Sequence, residues 1–328
     1  MKDGLNATRA VALAPEYSNS SLVGGFPEAV SYTALIVNPA AGRGLGKRLL
    51  ETLRSRFSYL APERILVTHH SGDERGLAVR ALADGCSTLA VVGGDGTCSN
   101  VAAAIVEAGS RCRLLVVPAG TGNDFAKTLG VANLSTDAIV NLLETGNPVQ
   151  IDVGRADGKY FVNSCGFGFD ASVLEASNRV RFLKGDAVYI YSALKQLFTY
   201  KGITVSAGAQ PTVKRGRMLM VTVSNGRFLG GAFRIAPTAS VLDGKLDVCF
   251  FGDANVLHRA RLFVGALKGK HIGMPGVVAA TTKRLELSFE FNPSMEIDGE
   301  LRFAQSATVQ LECVPQALSV IAAPGALV

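Results

Sequence analysis

No two cysteines of this chain form a C-x-x-C pair, and the six present (Cys86, Cys98, Cys112, Cys165, Cys249 and Cys313) lie far apart. Neither a zinc site nor a disulfide framework is indicated, and a reducing compartment fits best. The four histidines, His69, His70, His258 and His271, offer no i, i+4 pair and no cysteine neighbours, so surface or core places suit them better than a metal. Cys98 has no basic partner in view and reads as a small buried side chain rather than a nucleophile. Long hydrophobic runs are missing too: each stops at charge, Gly or Pro short of the roughly 18 residues a membrane span needs. The N-terminus lacks a basic start followed by an apolar core. Neither a transmembrane helix nor a signal peptide is expected, and no internal repeat or low-complexity tract is visible.

What is present is apolar surface. The chain has 328 residues, 48% of them hydrophobic, enough for two ordinary domains. Residues 1–31 lack a sustained period and read as a flexible extension. From there to residue 148 short apolar runs, "TALIVNP", "RILVT", "TLAVVGG" and "RLLVVP", alternate with helical periods over Gly44 to Phe57, Asp73 to Ala83 and Thr97 to Ala108. Near-continuous apolar strands between helices predict an α/β domain with a parallel sheet covered on both faces and loops of functional use at the strands' C-terminal ends. From residue 149 to 328 strand-like pieces follow one another with turns between, broken by helical stretches around Val180 to Tyr200 and Val256 to Lys268. This predicts a β-rich, mostly antiparallel second domain, whose closing run "ALSVIAAP" returns to one of the two sheets.

Three glycine loops fall at one edge of the predicted parallel sheet: "NPAAGRG" after the first strand, "GGDGT" after the third and "PAGTGNDFA" after the fourth. Glycines let backbone N–H groups approach a phosphate chain, and a helix start adds a favourable dipole. Asp95 among such amides would repel a polyphosphate unless a cation lay between, which argues for Mg²⁺ carried in with a nucleotide. The bland alternative for Asp95 is a helix N-cap. "AGRGLGKR" is no P-loop: Ala40 and Ala41 stand where glycines would be and Arg48 replaces the Ser/Thr that would hold the metal. It also misses the dinucleotide G-x-G-x-x-G spacing.

Taken in order, "VNPAAGRG", "GGDGT", "PAGTGNDFAK", "FVNSCGFGFDA", "GGAFRIAPTASVLDGKLDV" and "IDGE" resemble the motifs of the diacylglycerol kinase catalytic-domain family, which includes bacterial lipid kinases and sphingosine and ceramide kinases. GGDGT alone is shared with NAD kinases and phosphofructokinases; the later motifs are the specific ones. The resemblance implies an NAD kinase/phosphofructokinase-like fold and ATP-dependent phosphorylation of a lipid hydroxyl in an inter-domain cleft, with diacylglycerol as the default acceptor. It implies nucleotide contacts at Asn38, Pro39, Gly42, Thr68, Gly93, Gly94, Asp95, Gly96, Thr97, Thr121, Asn123 and Asp124. Asp95 is placed with Mg²⁺-ATP, and Glu300 with Asp298 as the catalytic acids. Asp243, with carbonyls near Ser240 and Lys245, is placed at a secondary metal site. One departure stands out: where the family usually continues GGDGT-x-N-E, this chain has Ser99 and Asn100. A sphingoid-base or NAD acceptor, or a nucleotide-binding protein with little turnover, stays open beside the lipid-kinase reading.

Charge adds an expectation about partners. Asn178 to Arg217 carries eight basic residues against one acid and Ala254 to Leu285 six against none, in a chain of net charge +6. For a kinase of membrane lipids these runs would dock an anionic membrane surface, with the Val180 to Arg217 region, beside Arg179, Arg181 and Lys184, as the leading element. That places the protein in the cytoplasm, peripherally on the membrane, without nucleic acid. A homodimer stays open.

Overall fold

Four short runs of branched and aliphatic residues build the first half of the sheet in a computed structural model, which describes residues 32–56, 60–179, 186–208 and 213–327, without the side chains of 178–190 and 214. The extension expected over 1–31 lies outside the described residues. In chain order the elements begin β1 (Tyr32–Val37), α1 (Ala41–Arg56), β2 (Ile65–Val67), α2 (Asp73–Ala83), β3 (Cys86–Gly93), α3 (Asp95–Glu107), β4 (Arg113–Pro118), α4 (Asp124–Thr128) and α5 (Thr136–Thr145). Strands β2, β1, β3 and β4 lie side by side and parallel. Leu35, Ile36, Leu89, Val91, Leu114 and Leu115 are fully buried, as strands covered on both faces require.

The remaining elements are β5 (Pro148–Ala156), β6 (Lys159–Phe161), β7 (Ser164–Gly168), α6 (Phe169–Arg179), α7 (Asp186–Thr199), β8 (Ile203–Ala207), β9 (Val213–Ser224), β10 (Leu246–Gly252), α8 (Val256–Leu267), β11 (Val277–Thr282), β12 (Arg284–Phe289), β13 (Ser294–Ile297), β14 (Glu300–Phe303) and β15 (Thr308–Ile321). Strands β7 to β14 pair antiparallel wherever they meet. The end of "FVNSCGFGFDA" forms the first turn of α6, where the Asp170 carboxylate accepts the Ala171 N–H at 2.8 Å. Of the helix expected around Val180 to Tyr200 the described residues show α7, and residues 180–185 lie outside them.

Strand β15 joins the two kinds of pairing. Its first part runs antiparallel to β12, and Ser319 to Ile321 run parallel to β4. Between them the register against β5 breaks from Val314 to Leu318, and Gln316 takes a positive φ of 51° while its N–H is held by Asp152 Oδ1 at 2.9 Å. Such a bulge re-aims a strand. All the described strands thereby belong to a single sheet within one compact unit spanning residues 31–328.

Candidate active site

The glycine loops after β1, β3 and β4 pack against one another only because they lack side chains. A Cβ on Gly42 would stand 2.1 Å from the Ala119 carbonyl oxygen, and one on Gly120 would stand 2.5 Å from Gly94 Cα. The chain winds left-handed through Gly42, Arg43 and Gly44 (φ 55°, 56° and 92°) before α1 becomes regular. Side chains then tie the loops together. Asn38 donates from Nδ2 to Thr97 Oγ1 at 3.1 Å, and its Oδ1 accepts the Ala40 N–H at 3.0 Å. Asn123, itself left-handed at φ 53°, exchanges two 2.9 Å hydrogen bonds with the Gly120 backbone.

These loops line a cavity of about 260 Å³ that contains Asn38, Gly42, Gly94, Gly96, Thr97 and Gly120 and, from elsewhere in the chain, Glu74 and Glu300. A second cavity of about 400 Å³ lies on the other side of the same loops, with Asp95, Thr121, Asp124, Asp170, Glu296 and Asp298 among its walls. Asp95 and Gly299 face one cavity, Gly96 and Glu300 the other, so consecutive residues of two loops form the partition. An apolar cavity shares Asp170 and Leu229 with the second and runs between Phe169, Phe233, Ile235, Leu262 and Phe263.

The D-G-E segment is a hairpin turn and a functional wall at once. Asp298 and Gly299 take φ values of 47° and 88°, the paired positive values of a tight turn between β13 and β14. Asp298 is 4% exposed and turns inward. Its carboxylate accepts the N–H groups of Val162, Asn163 and Ser164 at 2.8, 2.9 and 2.9 Å and the Ser99 hydroxyl at 2.6 Å. Burial pushes its pKa up to about 6 against the pull of those donors. Both oxygens are therefore committed to holding backbone, whereas Glu300 lies with Oε1 3.5 Å from where a Gly96 Cβ would be. Glu300 Oε1 also accepts from Asn100 Nδ2 at 3.2 Å, and Oε2 pairs with Arg302.

Asp95 links two of the glycine loops. It heads α3, but its Oδ1 accepts the Phe125 N–H at 3.2 Å at the start of α4, so it caps a helix other than its own. Its Oδ2 lies 2.7 Å and Asp124 Oδ2 lies 3.7 Å from where a Gly122 Cβ would be, so both carboxylates crowd that glycine. Burial first, and then the Asp124 charge, hold the Asp95 carboxyl above the usual carboxylate range. Two carboxylates so close, beside loops suited to phosphate, fit a divalent cation brought in with a nucleotide. Asp124 spans the site: it accepts the Gly231 N–H at 2.9 Å and pairs with Lys127 at 3.0 Å.

The other sequence-derived positions spread more widely. Pro39 follows Asn38, Gly93 backs Thr97 closely, and Thr68 is buried with its N–H on the Val37 carbonyl at 2.9 Å. Ser240, Asp243 and Lys245 lie in a separate turn: Ser240 Oγ accepts the Leu242 N–H at 3.3 Å and Asp243 Oδ1 the Lys245 N–H at 3.0 Å. They do not converge with Asp95, and among the described residues no group of three His, Cys, Asp or Glu side chains forms a metal cluster. Cys98 is buried, which pushes its thiol pKa up.

Sequence reasoning did not single out three acids of the site: Glu74, Asp170 and Glu296. Asp170 (6% exposed) and Glu296 are buried in the wall of the larger cavity, and each leaves one oxygen without a partner. Burial raises the Asp170 pKa to about 7 and that of Glu296 well above its ordinary value. The folded chain thus takes up these protons before the unfolded chain does, so they stabilise the fold at low pH and that contribution is lost as pH rises from near 4 toward 7. Wild type is expected to melt at a higher temperature at pH 5 than at pH 8, and Asp170→Asn to show a smaller difference. Equal differences in a thermal melt would contradict the assignment.

Comparison with known proteins reaches most of the chain. The family model for the diacylglycerol kinase catalytic domain matches residues 33–156, and that for the YegS C-terminal NAD kinase beta sandwich-like domain matches residues 163–322. The Pseudomonas aeruginosa protein named "Probable lipid kinase YegS-like" is 32% identical over 253 residues, covering 74% of this chain and 81% of its own. The diacylglycerol kinase of Bacillus subtilis is 25% identical over 268 residues, covering 81% of this chain and 88% of its own. A solved structure of a candidate diacylglycerol kinase from Bacillus anthracis str. Sterne superposes with a TM-score of 0.72 at 25% identity, covering 90% of this chain and 98% of that one. Its likeness extends over both the parallel and the antiparallel parts of the sheet.

Proposed function

Because the chain belongs to the diacylglycerol kinase catalytic-domain family and is a lipid kinase, we propose that it transfers the γ-phosphate of ATP to the hydroxyl of a neutral glycerolipid, diacylglycerol by default. The observation that carries this reading is the partition itself: one glycine-lined cavity and one amphipathic cavity meet across Gly94–Gly96 and Gly299–Glu300. A polyphosphate fits the first, where backbone amides and the start of α3 favour anions. A head group fits the second, and the adjoining apolar cavity beside Phe233 and Phe263, at about 40 Å³, has room for only the first carbons of an acyl chain.

Glu300, at the partition on the polyphosphate side, is the residue suited to take a proton from an acceptor hydroxyl that reaches across it. As the hydroxyl oxygen bonds to the γ-phosphorus and the bond to the β–γ bridging oxygen breaks, the hydroxyl proton passes to the Glu300 carboxylate and ADP leaves. A loose phosphoryl-transfer transition state asks for orientation and charge neutralisation more than for a strong base. Mg²⁺, when bound with ATP, would neutralise phosphate charge, and Asp95 with Asp124 are the carboxylates suited to hold it. Asp298 serves by locking the hairpin that carries Glu300.

A membrane-facing surface supports the same reading. No described helix is long and apolar enough to cross a membrane. Leu194 and Phe198, one turn apart on α7, are exposed, as are Leu257 and Val264 on α8, in the two helical regions where basic residues concentrate. Residues 180–185, including Arg181 and Lys184, lie outside the described residues, and so does the Arg179 side chain. The test uses γ-labelled ATP with diacylglycerol, a sphingoid base and NAD as acceptors, the lipids presented in anionic or neutral vesicles. Label in diacylglycerol, stronger from anionic vesicles, is expected. Label in the sphingoid base or NAD alone would replace the acceptor, and ATP binding without labelled product would remove the kinase reading for these acceptors.

A further inference from the structure

We propose that Glu74 and Asn100 form a relay that positions Glu300, so that Glu74, more than 200 residues away in sequence, sets the geometry of the acceptor's proton-accepting group. The inference rests on the kinase reading above and concerns a residue that touches neither loop motif nor hairpin in sequence.

Two adjacent residues of α3 grip the D-G-E hairpin. Ser99 donates its hydroxyl to Asp298, and Asn100 donates its amide to Glu300, at 2.6 and 3.2 Å. These are the two positions where the chain departs from the pattern it otherwise resembles. Asn100 has two N–H hydrogens on one nitrogen, and the second goes to Glu74 Oε1 at 2.8 Å. Glu74 is 3% exposed and its other oxygen accepts the Gly72 N–H at 3.1 Å, at a left-handed residue that opens α2.

This arrangement decides which end of the Asn100 amide faces Glu300. A carboxylate only accepts, so Glu74 requires the NH₂ end on its side, and the remaining hydrogen is left to point at Glu300. Without Glu74 the Asn100 amide loses the shorter of its two bonds and is held on this side by the 3.2 Å bond to Glu300 alone, so its torsion, and with it the place of Glu300, is no longer fixed from α2. Glu300 would then swing toward Arg302, its partner on the exposed side. Misplacing a reacting group by about an ångström can cost two orders of magnitude in rate. Glu74 is thus a positioning residue.

A double-mutant cycle tests this. Glu74→Ala is expected to lower kcat about 10-fold with the ATP KM within about 2-fold, and Glu74→Gln, whose carbonyl still accepts from Asn100, to stay within about 3-fold of wild type. In a Glu300→Ala background, Glu74→Ala is expected to add less than about a 2-fold loss. The same loss in both backgrounds would mark Glu74 as merely structural and overturn the proposal. Should Glu74→Ala not fold, Asn100→Asp, of equal size, reverses donor to acceptor and is expected to lower kcat at least about 10-fold; an unchanged kcat would overturn the relay. A crystal structure of Asn100→Asp reads the relay without turnover: Glu300 displaced from its place beside Gly96 supports it, and Glu300 unmoved refutes it. Absence of lipid labelling by wild type would instead count against the kinase reading.

Discussion

Glu300→Gln is expected to lower kcat for lipid phosphorylation by about three orders of magnitude, the middle of the range for losing a positioned acid or base, while leaving the ATP KM within about 3-fold. The amide keeps the size of the side chain and its hydrogen bond to Asn100 but can no longer take the hydroxyl proton. Nothing in the glycine-lined cavity is displaced, because Glu300 reaches the Gly96 side of it without bonding to the loop amides. Steady-state kinetics with ATP and acceptor varied separately give the split. A variant that loses ATP affinity but keeps kcat would move Glu300 from the transfer step to nucleotide binding.

Asp298→Ala is expected to have the largest effect on the fold itself, about 3–5 kcal/mol of destabilisation. The buried carboxylate satisfies three backbone N–H groups and one hydroxyl, and alanine takes that acceptor from all of them at once. Asp298→Asn keeps one acceptor oxygen and sets a donor against donors, so an intermediate loss is expected. Equilibrium denaturation measures both. A stability for Asp298→Ala within about 1 kcal/mol of wild type would show that the hairpin does not depend on this carboxylate. The loss of activity in such variants then follows from the hairpin, whereas Glu300→Gln is expected to melt near wild type.

Local signals were legible and long-range ones were not. The strand runs "TALIV" and "TLAVVGG" and the glycines after them give the parallel half and its loops, because burial on both faces and positive φ leave marks within a few residues. The D-G pair marks a hairpin for the same reason. What the sequence could not show is which acid faces which way: Asp298 and Glu300 are two residues apart, yet one is saturated by backbone and the other lines the cavity. Asp95 likewise turns to α4, a contact 30 residues off. Glu74 left no trace beyond its place in the first turn of α2, since its partner Asn100 comes from a neighbouring helix. Asp170 lies in the motif "FVNSCGFGFDA", yet no local spacing shows that folding buries it in a cavity wall with Glu296, 126 residues further on.

The rest depends on polyphosphate and acceptor meeting across the Gly94–Gly96 and Gly299–Glu300 partition. A crystal structure with Mg²⁺ and a non-hydrolysable ATP analogue tests this most directly. The expected result is a triphosphate held by the backbone amides of Gly94 and Gly96, its terminal phosphate turned toward the Glu300 carboxylate with room for one hydroxyl between them. A triphosphate bound elsewhere, or a terminal phosphate pointing away from Glu300 toward solvent, would contradict it.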